Sequence, residues 1–128
     1  MSIINCSSQK KIVKSVVKEI VYKAHTRGSS ETIIVTDYTV HFKTNNSSKT
    51  NTITKEEREV LDEIISSIAL EDIKNLKAPT SKRLYDGALH ASIEITVDNK
   101  HYKSSSFDDD SPPDELKKLM NTLKELIK

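Results

Sequence analysis

Residues 88–107 carry the cleanest hydrophobic pattern in the chain. Leu89, Ala91, Ile93, Ile95 and Val97 alternate with His90, Ser92, Glu94, Thr96 and Asp98. That period of two predicts a strand with one buried and one wetted face. Asp98-Asn99 suits a two-residue hairpin turn, because both residue types tolerate positive φ. If Val97 faces Lys100, Ile95 falls opposite Tyr102, and Glu94 falls opposite Lys103 on the wet face, where opposite charges are favoured. Ser104, Ser105 and Ser106 read as a continuation of the returning strand.

The first half is a series of shorter runs. Residues 16–26 fit both periods. Ile12, Val13, Val16, Val17, Ile20, Val21 and Ala24 recur like a helix face, whereas Val16, Ile20, Tyr22 and Ala24 fit one strand face, with Lys18 as the exception. The β-branched content favours the strand, since these side chains lose χ1 freedom in a helix. Further strands are expected over Glu31–Thr36, Thr39–Thr44 and Lys49–Thr54, separated by turn residues, so this half reads as an antiparallel meander.

Two helices complete the pattern. Thr54-Lys-Glu-Glu57 is a capping box, followed by an apolar stripe of Val60, Leu61, Ile64, Ile65 and Ile68 that continues loosely through Leu70, Ile73 and Leu76 until Pro79. A second helix is expected from Ser111 as N-cap, with Pro112 in the first position and Asp114 and Glu115 at its positive end. Its stripe is Leu116, Leu119, Met120, Leu123 and Ile127. The elements together predict an α+β fold, an antiparallel sheet of about five or six strands with two helices packed on one face. Residues 16–128 form this single domain, and residues 1–15 are expected to be a flexible N-terminal tether.

Composition narrows the function classes. In 128 residues, 20 Lys+Arg against 19 Asp+Glu leave a net charge of +1, which argues against a dedicated nucleic-acid binder. Aromatic residues make up 5% and Trp is absent, so base-stacking platforms are not expected either. No apolar run reaches the length of a membrane span. The single cysteine, Cys6, makes no internal disulfide. Ile3-Ile-Asn-Cys-Ser-Ser resembles the end of a bacterial lipoprotein signal, in which the cysteine is lipidated. Only Met1 to Asn5 precede it, so an export signal requires a start further upstream. Without one, Cys6 is a free thiol and the protein is expected in the cytoplasm.

Several segments carry a wider likeness. Tyr22-Lys-Ala-His-Thr-Arg-Gly, Asn75-Leu-Lys-Ala-Pro-Thr, Arg83-Leu-Tyr-Asp-Gly-Ala, and Ser106-Phe-Asp with Pro112-Pro113 resemble a family of small, uncharacterised bacterial envelope lipoproteins. The resemblance runs from about Val16 to the end. It implies an envelope address and lipidation at Cys6, and it brings no activity with it. Members of that family often carry His-Gly after the Phe-Asp, where this chain has Asp109-Asp110.

Candidate chemistry is sparse. His25, His41, His90 and His101 fall in separate strands without zinc-like spacing. Asp108-Asp109-Asp110 lacks the Gly and distal Glu of a calcium loop, since Leu119 occupies the twelfth position. No serine sits in a Gly-x-Ser-x-Gly elbow, and Gly28 and Gly87 alone make no phosphate cradle. No metal or other cofactor is expected. The polar residues of the long Pro79 loop are more suggestive. Arg27, Lys77, Arg83, Asp86 and Asp108 each fall near a strand end and are expected to gather at one end of the sheet as an interaction site. The competing reading is that Arg83–Asp86 and Arg27–Asp108 pairs merely order the loop. The expected function is a non-enzymatic binding domain for a protein or envelope component, touching the membrane only through a lipid on Cys6. An inhibitor or immunity-type protein using the acidic Asp108–Asp114 segment is the alternative, and a hydrolase with an unrecognised site is the third.

Overall fold

The computed structural model describes residues 16–128; the expected tether and Cys6 lie outside the described residues. Among the described residues, seven strands form one antiparallel sheet. They are β1 (Val17–Thr26), β2 (Ser29–Thr36), β3 (Thr39–Thr44), β4 (Ser48–Thr52), β5 (His90–Val97), β6 (Lys100–Lys103) and β7 (Phe107–Asp108). The spatial order is β4-β3-β2-β1-β5-β6, with β7 also pairing with β5. Helix α1 (Lys55–Ser66) and two 3-10 turns, Leu70–Asn75 and Lys82–Tyr85, connect β4 to β5, and α2 (Asp114–Leu126) closes the chain. The architecture is α+β, and the 16–26 run is a strand at the middle of the sheet.

Register explains why one face is dry. Ile20 pairs with Val35 and Ile95, Tyr22 with Ile33 and Ile93, and Ala24 with Ala91, while Phe107 lies beside Ala91. These tiers bury against Leu61, Ile64 and Ile65 of α1 and Leu116, Leu119, Met120 and Leu123 of α2, with Ile73 of the first 3-10 turn. The other face is lined mainly by Thr, Lys and His, with Val21 and Ile34 half-buried at its centre.

Lys18, the residue that broke the alternation in β1, sits at a bulge. Val17 faces Val97 and Glu19 faces Thr96, so Lys18 has no partner on β5 and points into solvent. The extra residue resets the pleat so that the positions from Ile20 onward point inward. A second irregularity corrects the serine run. Between the Glu94–Lys103 and Ala91–Phe107 pairs, two residues of β5 face three of the returning chain. Ser104 bridges the gap, donating its amide to the Ile93 carbonyl at 2.9 Å and accepting the Ile93 amide on its hydroxyl at 3.0 Å. The shift turns Phe107 inward.

Both helix starts were anticipated, one too early. At Thr54 the capping box is complete. Its hydroxyl accepts the Glu57 amide at 3.1 Å, and the Glu57 carboxylate accepts the Thr54 amide at 2.9 Å. α2 begins at Asp114 and not after Ser111. Ser111 forms a β-bridge with Asp108, and it and Pro112 each precede a proline, which biases both toward extended backbone. α1 also differs from its expected stripe. Val60 is 47% exposed, and the buried position is taken by Arg58. Its guanidinium donates to the Asp37 carbonyl at 3.0 Å and to the Val17 carbonyl, and pairs with Asp62 at 3.3 Å. This cation ties α1 to two strand ends. The α-helix itself stops at Ser66, and the rest of the expected stripe continues as the 3-10 turn.

Replacing Arg58 with Met keeps the aliphatic stem but strands two carbonyls, so chemical denaturation should show a loss of about 2 kcal/mol or more. Tyr22 gives the opposite case. Its buried phenol has no hydrogen-bond partner among the described residues. Burial first, then the charges of Asp109 and Glu31, hold its pKa well above the ordinary value. Tyr22→Phe should therefore leave stability unchanged or raise it by about 1 kcal/mol in the same assay.

Candidate functional site

The crossover from residue 76 to residue 89 runs along the β6–β7 edge, and one carboxylate organises it. Asp108, in β7, is fully buried. Its Oδ2 accepts the Thr80 hydroxyl and, at 2.8 Å, the Lys82 amide. Its Oδ1 accepts the Arg83 amide at 3.0 Å and the Arg83 Nη1 at 3.1 Å. The first amides of the Lys82–Tyr85 turn thus find no cap in Ser81, which makes no side-chain capping bond. They find it in a carboxylate from a distant strand. Orphan donors at a turn start and a buried anion satisfy each other.

Burial by itself would raise the Asp108 pKa. The Thr80 hydroxyl, the Arg83 and Lys82 amides and the Arg83 guanidinium outweigh it and hold the carboxyl below the usual carboxylate range. Arg83 also donates Nη1 to the Thr80 carbonyl at 2.9 Å and Nε to Ser106 Oγ at 3.4 Å. Ser105 anchors the start of the loop through the Leu76 carbonyl at 2.9 Å. Further out, Lys82 pairs with Asp110 at 2.6 Å. Their hydrogen bond raises the lysine pKa and lowers that of the aspartate. This pair is solvent-screened and adds little stability. Asp109 closes the base, its carboxylate accepting the Leu89 amide at 3.0 Å and its own amide reaching the Leu89 carbonyl at 3.1 Å.

The expected gathering of charges is met in one pair only. Arg83 joins Asp108, not Asp86, because Asp86 ends the 3-10 turn in the left-handed region at φ 62°. Arg27 follows β1 at the same end of the sheet, yet it makes no side-chain hydrogen bond or ion pair among the described residues, and neither does Lys77. The expected Arg27–Asp108 pair is absent since both Asp108 oxygens are filled by the crossover.

The locked turn presents two large apolar side chains. Leu84 is 70% exposed and Tyr85 is 72% exposed. Gly87 lets the chain close beneath them. A Cβ there would lie 3.1 Å from Lys82 Cβ and 3.2 Å from the Tyr85 ring, and the Gly87 amide reaches the Lys82 carbonyl at 2.7 Å. In the sequence the signal for this pair is two adjacent apolar residues inside a polar loop, Leu84-Tyr85, and not their charged neighbours. At the other end of the sheet a groove of about 720 Å³ is lined by Val16, Tyr38, Arg58, Asp62, Ile68 and Leu70, among others. Its buried cation, Arg58, is occupied by backbone carbonyls and Asp62.

No family model, curated protein or solved structure matches the chain.

Asp108→Asn keeps the size of the side chain but removes its charge and sets an amide against donors. It should cost about 3 kcal/mol at neutral pH, as breaking a buried pair does. The pH dependence has a definite sign. The folded carboxyl titrates below an unfolded aspartate, whose pKa is about 3.9. Its stabilisation is therefore complete above that value and is lost as pH falls toward the folded pKa. The difference in denaturation free energy between wild type and Asp108→Asn should narrow steadily below about pH 4.

Proposed function

We propose that this protein is a non-enzymatic interaction domain of the bacterial envelope, held to the membrane by a lipid on Cys6, which engages a protein partner through Leu84 and Tyr85. The supporting observation is the pairing of high exposure with a fixed base. Two adjacent side chains, each at least 70% exposed, stand on a turn whose amides are bound by a buried carboxylate. Contiguous exposed apolar surface marks contact sites, and Leu84 and Tyr85 are adjacent in the chain and both exposed. Tyrosine is also among the residues that dominate interface energetics, and pre-ordering reduces the entropy lost on binding. Arg83 and Asp108 then act as positioning residues, while Lys77, Asp86 and Arg27 form the polar surroundings of the contact.

The inhibitor reading is less well served. It needs a free acidic surface, and in the Asp108–Asp114 segment Asp108, Asp109 and Asp110 are engaged with Arg83, the Leu89 amide and Lys82 respectively, which leaves Asp114 as its exposed carboxylate, 3.6 Å from Lys117.

A photo-crosslinking residue placed at Tyr85 of the full chain, in its native host, should trap one discrete protein, whereas the same residue at Lys43 on the sheet's open face should not. Tyr85→Ala should weaken binding of that partner tenfold or more, with thermal stability unchanged. Equal crosslinking from both positions, or full affinity of Tyr85→Ala, would remove the proposal. Mass spectrometry of the intact native protein should show a diacylglyceryl or triacyl adduct on Cys6.

A further inference from the structure

The groove at the far end of the sheet from the crossover combines apolar surface with negative charge. Its volume is about 720 Å³, and Val16, Tyr38, Ile65, Ile68 and Leu70 give it an apolar lining. Val16 is 57% exposed and Tyr38 is 52% exposed, so apolar surface is left uncovered there. The carboxylates of Asp37, Asp62 and Glu71 line it as well. Arg58 is the one cation in the lining among the described residues, and it is committed to two backbone carbonyls and Asp62. The carboxylates of Asp37 and Glu71 make no hydrogen bond or ion pair among the described residues. Such a groove suits apolar side chains flanked by positive charge. The chain carries that pattern where it reaches the groove, since residues 10–16 read Lys-Lys-Ile-Val-Lys-Ser-Val. Val16 is pinned at the groove wall. Its amide donates to Asp98 Oδ1 at 3.2 Å, and its carbonyl accepts the Asp98 amide at 2.9 Å. Ile12 and Val13 stand four and three residues upstream, within roughly 10–14 Å of extended chain.

We propose that residues 10–15 dock in this groove of their own chain, with Ile12 and Val13 against Tyr38, Ile68 and Leu70, and with Lys10, Lys11 and Lys14 toward Asp37, Asp62 and Glu71. Burial of the two apolar side chains supplies most of the stabilisation. Exposed ion pairs add little to it, and the complementary charges set the register of the segment in the groove. The connection through Ser15 is short, so the effective concentration of the segment at its own groove is on the order of millimolar. That favours the same chain over a second copy. Taken with the lipid anchor proposed above, the docking leaves Ser7, Ser8 and Gln9 between Cys6 and the domain. The groove end then faces the bilayer, and Leu84 and Tyr85 point away from it. The docking itself does not rest on the lipid.

The test is NMR on the full chain carrying Cys6→Ser, which removes both the lipid and the free thiol. Nuclear Overhauser cross-peaks should join the Ile12 and Val13 methyls to the Tyr38 ring and to the methyls of Ile68 and Leu70, with intensities unchanged on tenfold dilution. Ile12→Asp with Val13→Asp should abolish these contacts and shift the Tyr38, Ile68 and Leu70 resonances, while the Lys82 and Arg83 amides stay in place. Asp37→Asn with Glu71→Gln, which keeps the backbone carbonyl that Arg58 uses, should weaken the cross-peaks at least twofold. Three results would each overturn the proposal. One is absence of the cross-peaks from the Cys6→Ser chain. Another is cross-peaks unaffected by Asp37→Asn with Glu71→Gln. The third is their appearance between labelled and unlabelled copies in a mixed sample, which would seat the segment on a second copy.

Discussion

A buried carboxylate with four donors around it sets the form of the exposed end of this protein. Asp108 lies on a two-residue strand that pairs with the start of β5. Without it, the amides of Lys82 and Arg83 and the guanidinium of Arg83 would lose their common acceptor. An uncompensated charge at a fully buried position is expensive, and here full coordination offsets that cost. The long crossover between α1 and β5 is thus tied to the sheet, although little of its own side-chain surface is buried.

That lock depends on the sheet beneath it. β7 reaches the edge of β5 with Phe107 inward because the Ser104 irregularity shifts the returning chain by one residue. An unbroken register would turn Phe107 toward solvent and Asp108 toward the apolar core, since a one-residue slip exchanges the faces. Lys18 performs the same correction at the start of β1. Two local defects in otherwise regular strands therefore set both ends of the central part of the sheet. At the opposite end Arg58 does for α1 what Asp108 does for the crossover, as a buried charge whose partners are chiefly backbone groups.

Much of the architecture was legible in the residues. The alternation from Leu89 to Val97, the Asp98-Asn99 turn and the Thr54–Glu57 box depend on local stereochemistry, and the structure has each where local rules place it. Asp98 adopts the expected positive φ, at 54°. The departures arise where distant residues decide. Arg58 displaced Val60 from the helix stripe because two strand-end carbonyls lie within its reach. Ser111 gave up its capping role to a bridge with Asp108. The partner of Arg83 is Asp108 and not the nearer Asp86, since the left-handed turn end takes Asp86 out of the pairing. The stacking of the His25 and His90 rings across β1 and β5 was invisible for the same reason. It depends on the β1–β5 register across 65 positions of sequence, which no local pattern encodes.

The central claim is that the crossover is held rigid by Asp108, so that Leu84 and Tyr85 stand on a fixed base. Native-state amide hydrogen exchange, followed by NMR at neutral pH, reads this directly at the Lys82 and Arg83 amides. The account predicts that both are protected to nearly the same degree as amides of β5, despite their place in a surface loop. Exchange at the rate of exposed amides, with β5 still protected, would contradict it.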